Sequence, residues 1–185
     1  LHHIGHNYYY MGDYNKAHNY YNRSIEIVKK LGDKNGMGHA LLSLGNIYDA
    51  KNNIEEALSC YKESYSISIE LDDKYTAAYF NLAQLEEDEG NLKKALKLSS
   101  RAYGIEPENL EYRYVYSTLL VQLNRGSEAI YNLKEIVRQW PWHHGAHYNL
   151  GRALIEAGQQ VDGKKYLEQA EQVRAAQAKI DHLEN

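Results

Sequence analysis

The chain has 185 residues, and its 21 basic and 25 acidic side chains give a net charge of -4. This near balance leaves no basic footprint, so the sequence predicts neither nucleic acid nor an anionic membrane surface as a partner. Cys60 is the only cysteine, which excludes a disulfide within the chain. A lone thiol favours the cytoplasm and leaves the periplasm open. No apolar run reaches the roughly 20 residues that cross a bilayer, and membrane insertion is not expected.

The chain begins with a helical pattern, because Leu1, Ile4 and Tyr8 recur on one helix face. Leu1 already fits the middle of a first helix, so we expect further residues to precede it in the protein. From here a common spacing runs to the end of the chain. Its reference point is a small residue, found at steps of 40, 38, 34 and 34 residues: Gly5, Gly45, Ala83, Ser117 and Gly151.

Two further positions in each segment are also small. Twelve residues after the reference point stand Ala17, Ala57, Ala95, Ala129 and Gly163, and seven residues later stand Ser24, Ser64, Ala102, Ile136 and Ala170. Small residues at matched positions let two antiparallel helices cross at close range. The sequence therefore predicts pairs of helices that cross at these positions, with Ala57 and Ala95 buried.

Turn residues separate the predicted helices, because Gly and Asn tolerate the left-handed backbone at a helix end. The only two prolines, Pro107 and Pro141, each lie 24 residues after a reference point, where they end one helix and start the next. The predicted boundaries lie near Gly12, Leu31, Asn52, Asp72, Gly90, Glu106, Asn124, Gln139 and Gly158.

The segment Leu44-Gly45-Asn46-Ile47-Tyr48 with Ala57 and Tyr61 resembles the tetratricopeptide repeat, whose pattern is L-G-x2-Y followed by A-x3-F. The resemblance covers nearly the whole chain. It implies an all-α fold, an α-solenoid in which antiparallel helix-turn-helix units form a right-handed superhelix. Five repeats are expected, and the first two resemble the longer variant of about 40 residues found in kinesin light chains. Their approximate ranges are 1–36, 37–74, 75–108, 109–142 and 143–172.

Residues 173–184 continue the last helical pattern through Val173, Ala176, Ile180 and Leu183. A final helix that covers the exposed end of the array is one interpretation. The alternative is a short coiled-coil seam that allows weak self-association, although fewer than three heptads are present. The oligomeric state is left open.

In the resembled family, the first helix of each repeat lines a concave groove. The resemblance therefore implies a peptide-binding groove formed by His6, Asn46, Asp49, Phe80, Asn81, Gln84, Tyr114, Thr118, Tyr148, Asn149 and Arg152. Amides can pair with a peptide backbone, and rings can bury its side chains. The alternative for each residue is contact with a neighbouring first helix. Acidic side chains at Asp49, Glu87, Asp88 and Glu111 border the groove, which favours a ligand with apolar anchors and flanking Lys or Arg.

The family also includes a carboxylate clamp that holds the C-terminal tails of heat-shock chaperones. Asn46 and Asn81 match two of its positions, but Leu42, Glu111 and Val115 occupy places that need basic residues. A glutamate repels a terminal carboxylate, so this ligand is not expected.

Two pairs of histidines are candidate ligands for a transition metal. The spacings of His2 with His6 and of His144 with His147 place each pair on one helix face. Neither pair has a third ligand nearby in sequence. We expect surface or groove histidines and no metal. The acidic run Glu86-Glu87-Asp88-Glu89 is interpreted either as a solvated helix end or as half of a site for a basic peptide.

No phosphate-binding, dinucleotide-binding, serine-hydrolase or zinc-protease motif is present, so no catalytic residues and no cofactor are expected. The sequence predicts a non-catalytic scaffold that binds a peptide segment of a partner protein. The alternative is a segment that recruits partners or substrates for a larger enzyme or sensor.

Overall fold

A computed structural model of the protein describes residues 1–71 and 76–183. In these ranges the backbone forms ten α-helices and no strand, so the predicted all-α class is confirmed. The helices are α1 His2–Tyr10, α2 Tyr14–Leu31, α3 Lys34–Ala50, α4 Ile54–Glu70, α5 Thr76–Asp88, α6 Leu92–Ile105, α7 Leu110–Gln122, α8 Gly126–Gln139, α9 His144–Glu156 and α10 Gln160–Leu183. The predicted boundary at Asp72 lies outside the described residues; the others fall within two residues of a helix end.

The predicted turn residues adopt the left-handed backbone conformation that Gly and Asn tolerate. Left-handed φ angles of 57° to 80° occur at Gly12, Asn52, Gly90, Asn124 and Gly158. Side-chain caps start several of the helices that follow a turn. Asp13, for example, accepts from the backbone N–H of Lys16 at 3.1 Å, and Asp33 accepts from that of Gly36 at 2.8 Å.

The helices form two compact units, residues 1–89 and 90–185. In the first unit each of α1 to α5 packs on its neighbour in the chain, and the first helices α1 and α3 also touch. The second unit follows the same rule for α6 to α10, with contact between α7 and α9. The predicted third repeat divides between the units, α5 in one and α6 in the other, so the count of five repeats stays a prediction.

Small residues lie at the helix crossings, as the spacing predicts. Ala17, Ala57, Ala95 and Ala129 are completely buried. At Gly45 even a methyl group lacks room, since a Cβ would lie 2.4 Å from Cε1 of Tyr61. Gly5 meets Tyr21 in the same way, at 2.8 Å. The ring sixteen residues downstream therefore occupies the space that the glycine leaves.

Both proline turns are held by a side chain six residues later. Arg113 donates from Nη2 to the carbonyl of Pro107 at 2.7 Å, and His147 donates from Nε2 to the carbonyl of Pro141 at 3.0 Å. Both residues stand four positions before the small reference residue of their segment and are buried. Each turn is thereby fixed to the first turns of the helix that follows it.

The last helix, α10, packs on α9 through its N-terminal half, where Gly163 and Leu167 lie against Gly151. Beyond Ala170 the side chains up to Ile180 are exposed, except for half-buried Val173. The first half of α10 therefore closes the second unit, and the extension presents most of its side chains to solvent.

Candidate functional site

In the first unit, Asn46 links the first helices α3 and α5. Its Oδ1 accepts from Nδ2 of Asn81 at 2.8 Å and from the hydroxyl of Tyr61 at 2.8 Å. Burial raises the pKa of Tyr61, and the charge of Asp49 raises it further. The hydroxyl of Tyr61 therefore stays protonated and acts as a donor. Asn46 and Asn81 are engaged with neighbouring helices, which is the alternative that the sequence left open for them.

The second unit repeats this arrangement between α7 and α9. Asn149 donates from Nδ2 to Oγ1 of Thr118 at 3.1 Å and to the hydroxyl of Tyr114 at 3.4 Å. In both units the donor is an amide side chain that lies two positions before a small reference residue. Its acceptor lies on the preceding first helix, one position after the reference residue of that helix. We call these contacts the amide links; they join adjacent first helices within each unit.

Burial divides the predicted groove residues into three groups. Phe80 and Asn149 are buried, with exposed fractions of only 7% and 8%. Asn46, Asn81, Tyr114 and Thr118 are half-buried. The residues that remain exposed are His6, Asp49, Gln84, Tyr148 and Arg152.

A cleft lies between α1 and α3 and brings together part of the predicted site. We call it the α1–α3 cleft. Its volume is about 110 Å³, and it is lined by His6, Tyr9, Tyr10, Tyr21, Leu42, Ser43 and Asn46. Tyr9 and Tyr10 were not among the predicted groove residues. The run Tyr8-Tyr9-Tyr10 carries a signal for them, because successive helical residues point about 100° apart and three consecutive rings cannot all face one core.

A larger cavity of about 360 Å³ is formed by α1, α2 and α3 and is lined by His2, His3, Ser24, Val28, Gly36 and His39. The imidazole Nε2 of His2 lies 3.0 Å from Oγ of Ser43. Burial lowers the pKa of His2, a hydrogen bond to the backbone of His39 partly opposes this shift, and the charges of His39, His3 and His6 lower the pKa further. A neutral imidazole is therefore favoured at this position.

On α9, Tyr148 and Arg152 form a pair, with the guanidinium 6.0 Å from the ring centroid. The two predicted site residues are thus brought together at the surface of the second unit.

Glu86 is buried, with an exposed fraction of 1%. One interpretation of the acidic run was a solvated helix end, and Glu86 does not fit that interpretation. Asp88 and Glu89 are exposed.

His143 caps the N-terminus of α9, and its Nδ1 accepts from the backbone N–H of Ala146 at 3.1 Å. Its ring stacks on Trp140 at 5.7 Å and lies 4.5 Å from the ring of Tyr114. Burial lowers the pKa of His143, a hydrogen bond to its own backbone partly opposes this shift, and the charges of His144 and His147 lower the pKa further. A protonated Nδ1 cannot accept a hydrogen bond, and a positive charge is unfavourable at a helix N-terminus.

These contacts make the second unit sensitive to acid. Because burial lowers the pKa of His143 below its ordinary value of 6.5, the unfolded chain binds more protons than the folded chain as the pH falls through that value. The free energy of unfolding should be fully retained well above the ordinary pKa of 6.5 and should decrease as the pH falls through that value toward the lowered pKa of the folded state. Urea titrations followed by tryptophan fluorescence should show a shallower pH dependence for His143→Asn, since asparagine also caps helices. His144→Asn, which changes an exposed neighbour, should keep most of the slope; equal slopes for wild type and His143→Asn would contradict the assignment.

No group of three or more His, Cys, Asp or Glu side chains among residues 1–71 and 76–183 is arranged to hold a metal ion. Three of the described histidines, His2, His147 and His143, bond to protein groups at Ser43, Pro141 and Ala146. Cys60 is buried, and burial raises the pKa of its thiol to about 11. A neutral, buried thiol is a poor nucleophile.

In the part of the chain that the structure describes, no helix has both the length and the apolar composition that crossing a membrane requires.

Antiparallel helix pairs that cross at small residues and recur along the chain define a helical-repeat protein. Family models described as tetratricopeptide repeat match residues 1–70 and 76–109. The chain belongs to the tetratricopeptide repeat family, whose fold is a protein-interaction scaffold and whose members are typically non-catalytic.

Solved structures share this fold. YrrB, described as a TPR protein with an unusual peptide-binding site, has a TM-score of 0.76 and 17% identity, over 94% of this chain and 84% of that chain. MamA has a TM-score of 0.71 and 19% identity, over 95% and 97%. A Podosopora anserina protein of nearly identical TPR-like repeats, assigned to the kinesin light chains, has a TM-score of 0.68 and 18% identity, over 95% and 94%. At such low identities, these TM-scores show a common fold alone.

Proposed function

We propose that the chain is a non-catalytic scaffold that binds a peptide segment of a partner protein on its first helices. The observation that carries this proposal is that each unit presents exposed polar and aromatic side chains on its own first helices next to its amide link, on α1, α3 and α5 in the first unit and on α9 in the second. Because the amide links hold adjacent first helices in fixed positions, the exposed residues beside them are presented with little loss of side-chain freedom on binding.

The chemistry of these positions favours one class of peptide ligand over another. Rings at Tyr10 and Tyr148 offer apolar contact area, and Gln84 offers both a donor and an acceptor to a peptide backbone. Asp49 adds negative charge beside the α1–α3 cleft. A peptide with apolar anchors and flanking Lys or Arg therefore fits better than an acidic tail, and its affinity should decrease as salt concentration rises. YrrB, which shares the fold, is described as having a peptide-binding site.

A matched pair of tyrosines tests the proposal. Tyr148 lies on the first helix α9 with 47% of its surface exposed, and Tyr131 lies on the second helix α8 with 73% exposed. A partner recovered by pull-down with the whole chain supplies the peptide, which is then titrated by calorimetry. Tyr148→Ala should weaken peptide binding about 10-fold, the typical size of an aromatic contact at an interface. Tyr131→Ala should bind as wild type.

The opposite result would place the ligand on the second helices and overturn the proposal. Both substitutions remove an exposed ring, so neither should change the melting temperature by more than the small shift expected of a surface position. Asn81→Ala does not serve as a test, because it removes the amide link to Asn46 as well as any ligand contact.

A further inference from the structure

Four aromatic rings line the α1–α3 cleft, those of His6, Tyr9, Tyr10 and Tyr21. The ring of His6 meets Tyr10 at 4.7 Å with an interplanar angle of 87°, and the ring of Tyr9 meets Tyr10 at 5.7 Å and 85°. Tyr10 is thus nearly perpendicular to both of its neighbours, so ring faces and edges point into the same small volume. Tyr10 is also 75% exposed, which leaves much of its face open to a ligand.

A carboxylate stands beside these rings. Asp49 lies three residues after Asn46 on the same face of α3 and is exposed. Tyr9 has its pKa raised chiefly by burial and by the neighbouring Tyr14 and Tyr10, and the charge of Asp49 adds to this, which places that charge close to the Tyr9 ring. Asp49 is in the last turn of α3, where the helix dipole disfavours an anion. The position therefore does not benefit the helix itself.

Other tyrosines of the protein already hold a cation. Lysine or arginine groups lie 5.1 to 6.0 Å from the ring centroids of Tyr8, Tyr20, Tyr103 and Tyr148. Among the described residues, no such pair involves Tyr9 or Tyr10. None of the side chains that line the α1–α3 cleft is a lysine or an arginine. The cleft therefore combines rings and a carboxylate without a cation of its own.

We propose that the α1–α3 cleft binds an arginine side chain of the partner peptide. A planar guanidinium can stack on the ring of Tyr10 while its N–H groups donate to the carboxylate of Asp49. The volume of about 110 Å³ suits one side-chain head group and not a length of backbone. This inference rests on the proposed function and adds the identity of one anchor residue.

The ligand test compares two probes that differ only in charge. The tripeptide amide acetyl-Ala-Arg-Ala-NH2 and its citrulline analogue are titrated into the whole chain and followed by NMR of the tyrosine and histidine rings. Citrulline has nearly the shape of arginine but no charge. The arginine probe should produce saturable shifts of the Tyr9, Tyr10 and His6 signals, with an affinity about 10-fold above that of the citrulline probe. Equal affinities would overturn the proposal.

Variants separate the ring from the carboxylate. Tyr10→Phe keeps the aromatic face and should bind the arginine probe within about 2-fold of wild type, whereas Tyr10→Leu should lose about 5-fold or more. Asp49→Asn should lose about 3-fold or more, together with most of the salt dependence. Since Asp49 opposes the dipole of α3, this variant should not lower the melting temperature.

Tyr131→Leu serves as the control, because it removes an exposed tyrosine from α8 by the same substitution. It should bind the arginine probe as wild type does, and a loss equal to that of Tyr10→Leu would show non-specific stacking and overturn the proposal. The two proposals fail separately. If the partner peptide still depends on Tyr148 while the arginine probe does not bind the α1–α3 cleft, the scaffold function stands and only the arginine anchor is wrong.

Discussion

Gly45→Ala should destabilise the protein by about 1–3 kcal/mol, although alanine is the better helix former. A Cβ at this position would lie 2.4 Å from Cε1 and 2.7 Å from Cδ1 of Tyr61. The ring cannot move aside easily, because Tyr61 has an exposed fraction of 1% and its hydroxyl donates to Asn46. The added methyl group must therefore push α3 away from α4 or break the bond to Asn46.

The same substitution at Gly104 supplies the control. Gly104 lies in α6, its φ is not left-handed, and a Cβ there meets nothing within 4 Å. Gly104→Ala should stabilise the protein by up to about 1 kcal/mol, since only the helix preference and the entropy of the unfolded chain change. Urea unfolding followed by circular dichroism measures both variants. If the two shift in the same direction, the close contact between Gly45 and Tyr61 does not limit the residue at position 45.

The helix pairs could be predicted because their signals are local and repeat. The small size of Ala57 and Ala129 predicts a helix crossing. Asn52 and Asn124 predict a turn, because asparagine tolerates a positive φ. Each signal recurs at a similar place in several segments, so an error in one segment is corrected by the others. That is why the predicted boundaries agree closely with the described helices.

The site was harder to predict, because periodicity assigns a residue to a helix face and not to a neighbour. Asn149 and Asn81 were placed on the ligand-facing side, but each bonds to the preceding first helix, and Asn149 is buried there. The distance between adjacent first helices decides this outcome, and the sequence does not contain that distance. Tyr9 and Tyr10 were missed for the related reason that their spacing fits no core position.

Gly126 shows a second limit. It lies beside the predicted boundary near Asn124, where a glycine is the usual left-handed residue, yet the left-handed residue of that turn is Asn124. Gly126 begins α8, where its N–H donates to the carboxylate of Glu156 at 3.2 Å and a Cβ would lie 2.9 Å from Cα of Ala153. Its function is close approach to α9, and only the three-dimensional contact reveals it.

The residue sixteen positions after the small reference residue differs from segment to segment. Gly5 and Gly45 face Tyr21 and Tyr61, and Gly151 faces Leu167. In the fourth segment the same offset pairs Ser117 with Leu133, so a serine stands in place of the glycine and a leucine in place of the ring. The fourth segment offers a natural solution that can be transferred to the second segment by two substitutions, Gly45→Ser and Tyr61→Leu.

A double-mutant cycle tests whether this pairing sets the packing. Tyr61→Leu alone should cost on the order of 2–4 kcal/mol, because it leaves a cavity and removes the bond to Asn46. Gly45→Ser alone should cost about 1–3 kcal/mol through overpacking. The serine side chain can enter the space that the ring vacates, so the double variant should be more stable than the sum of the single effects predicts, by about 1 kcal/mol or more. Strict additivity in urea unfolding would mean that the two positions do not compete for the same volume, and the correspondence with Ser117 and Leu133 would then be accidental.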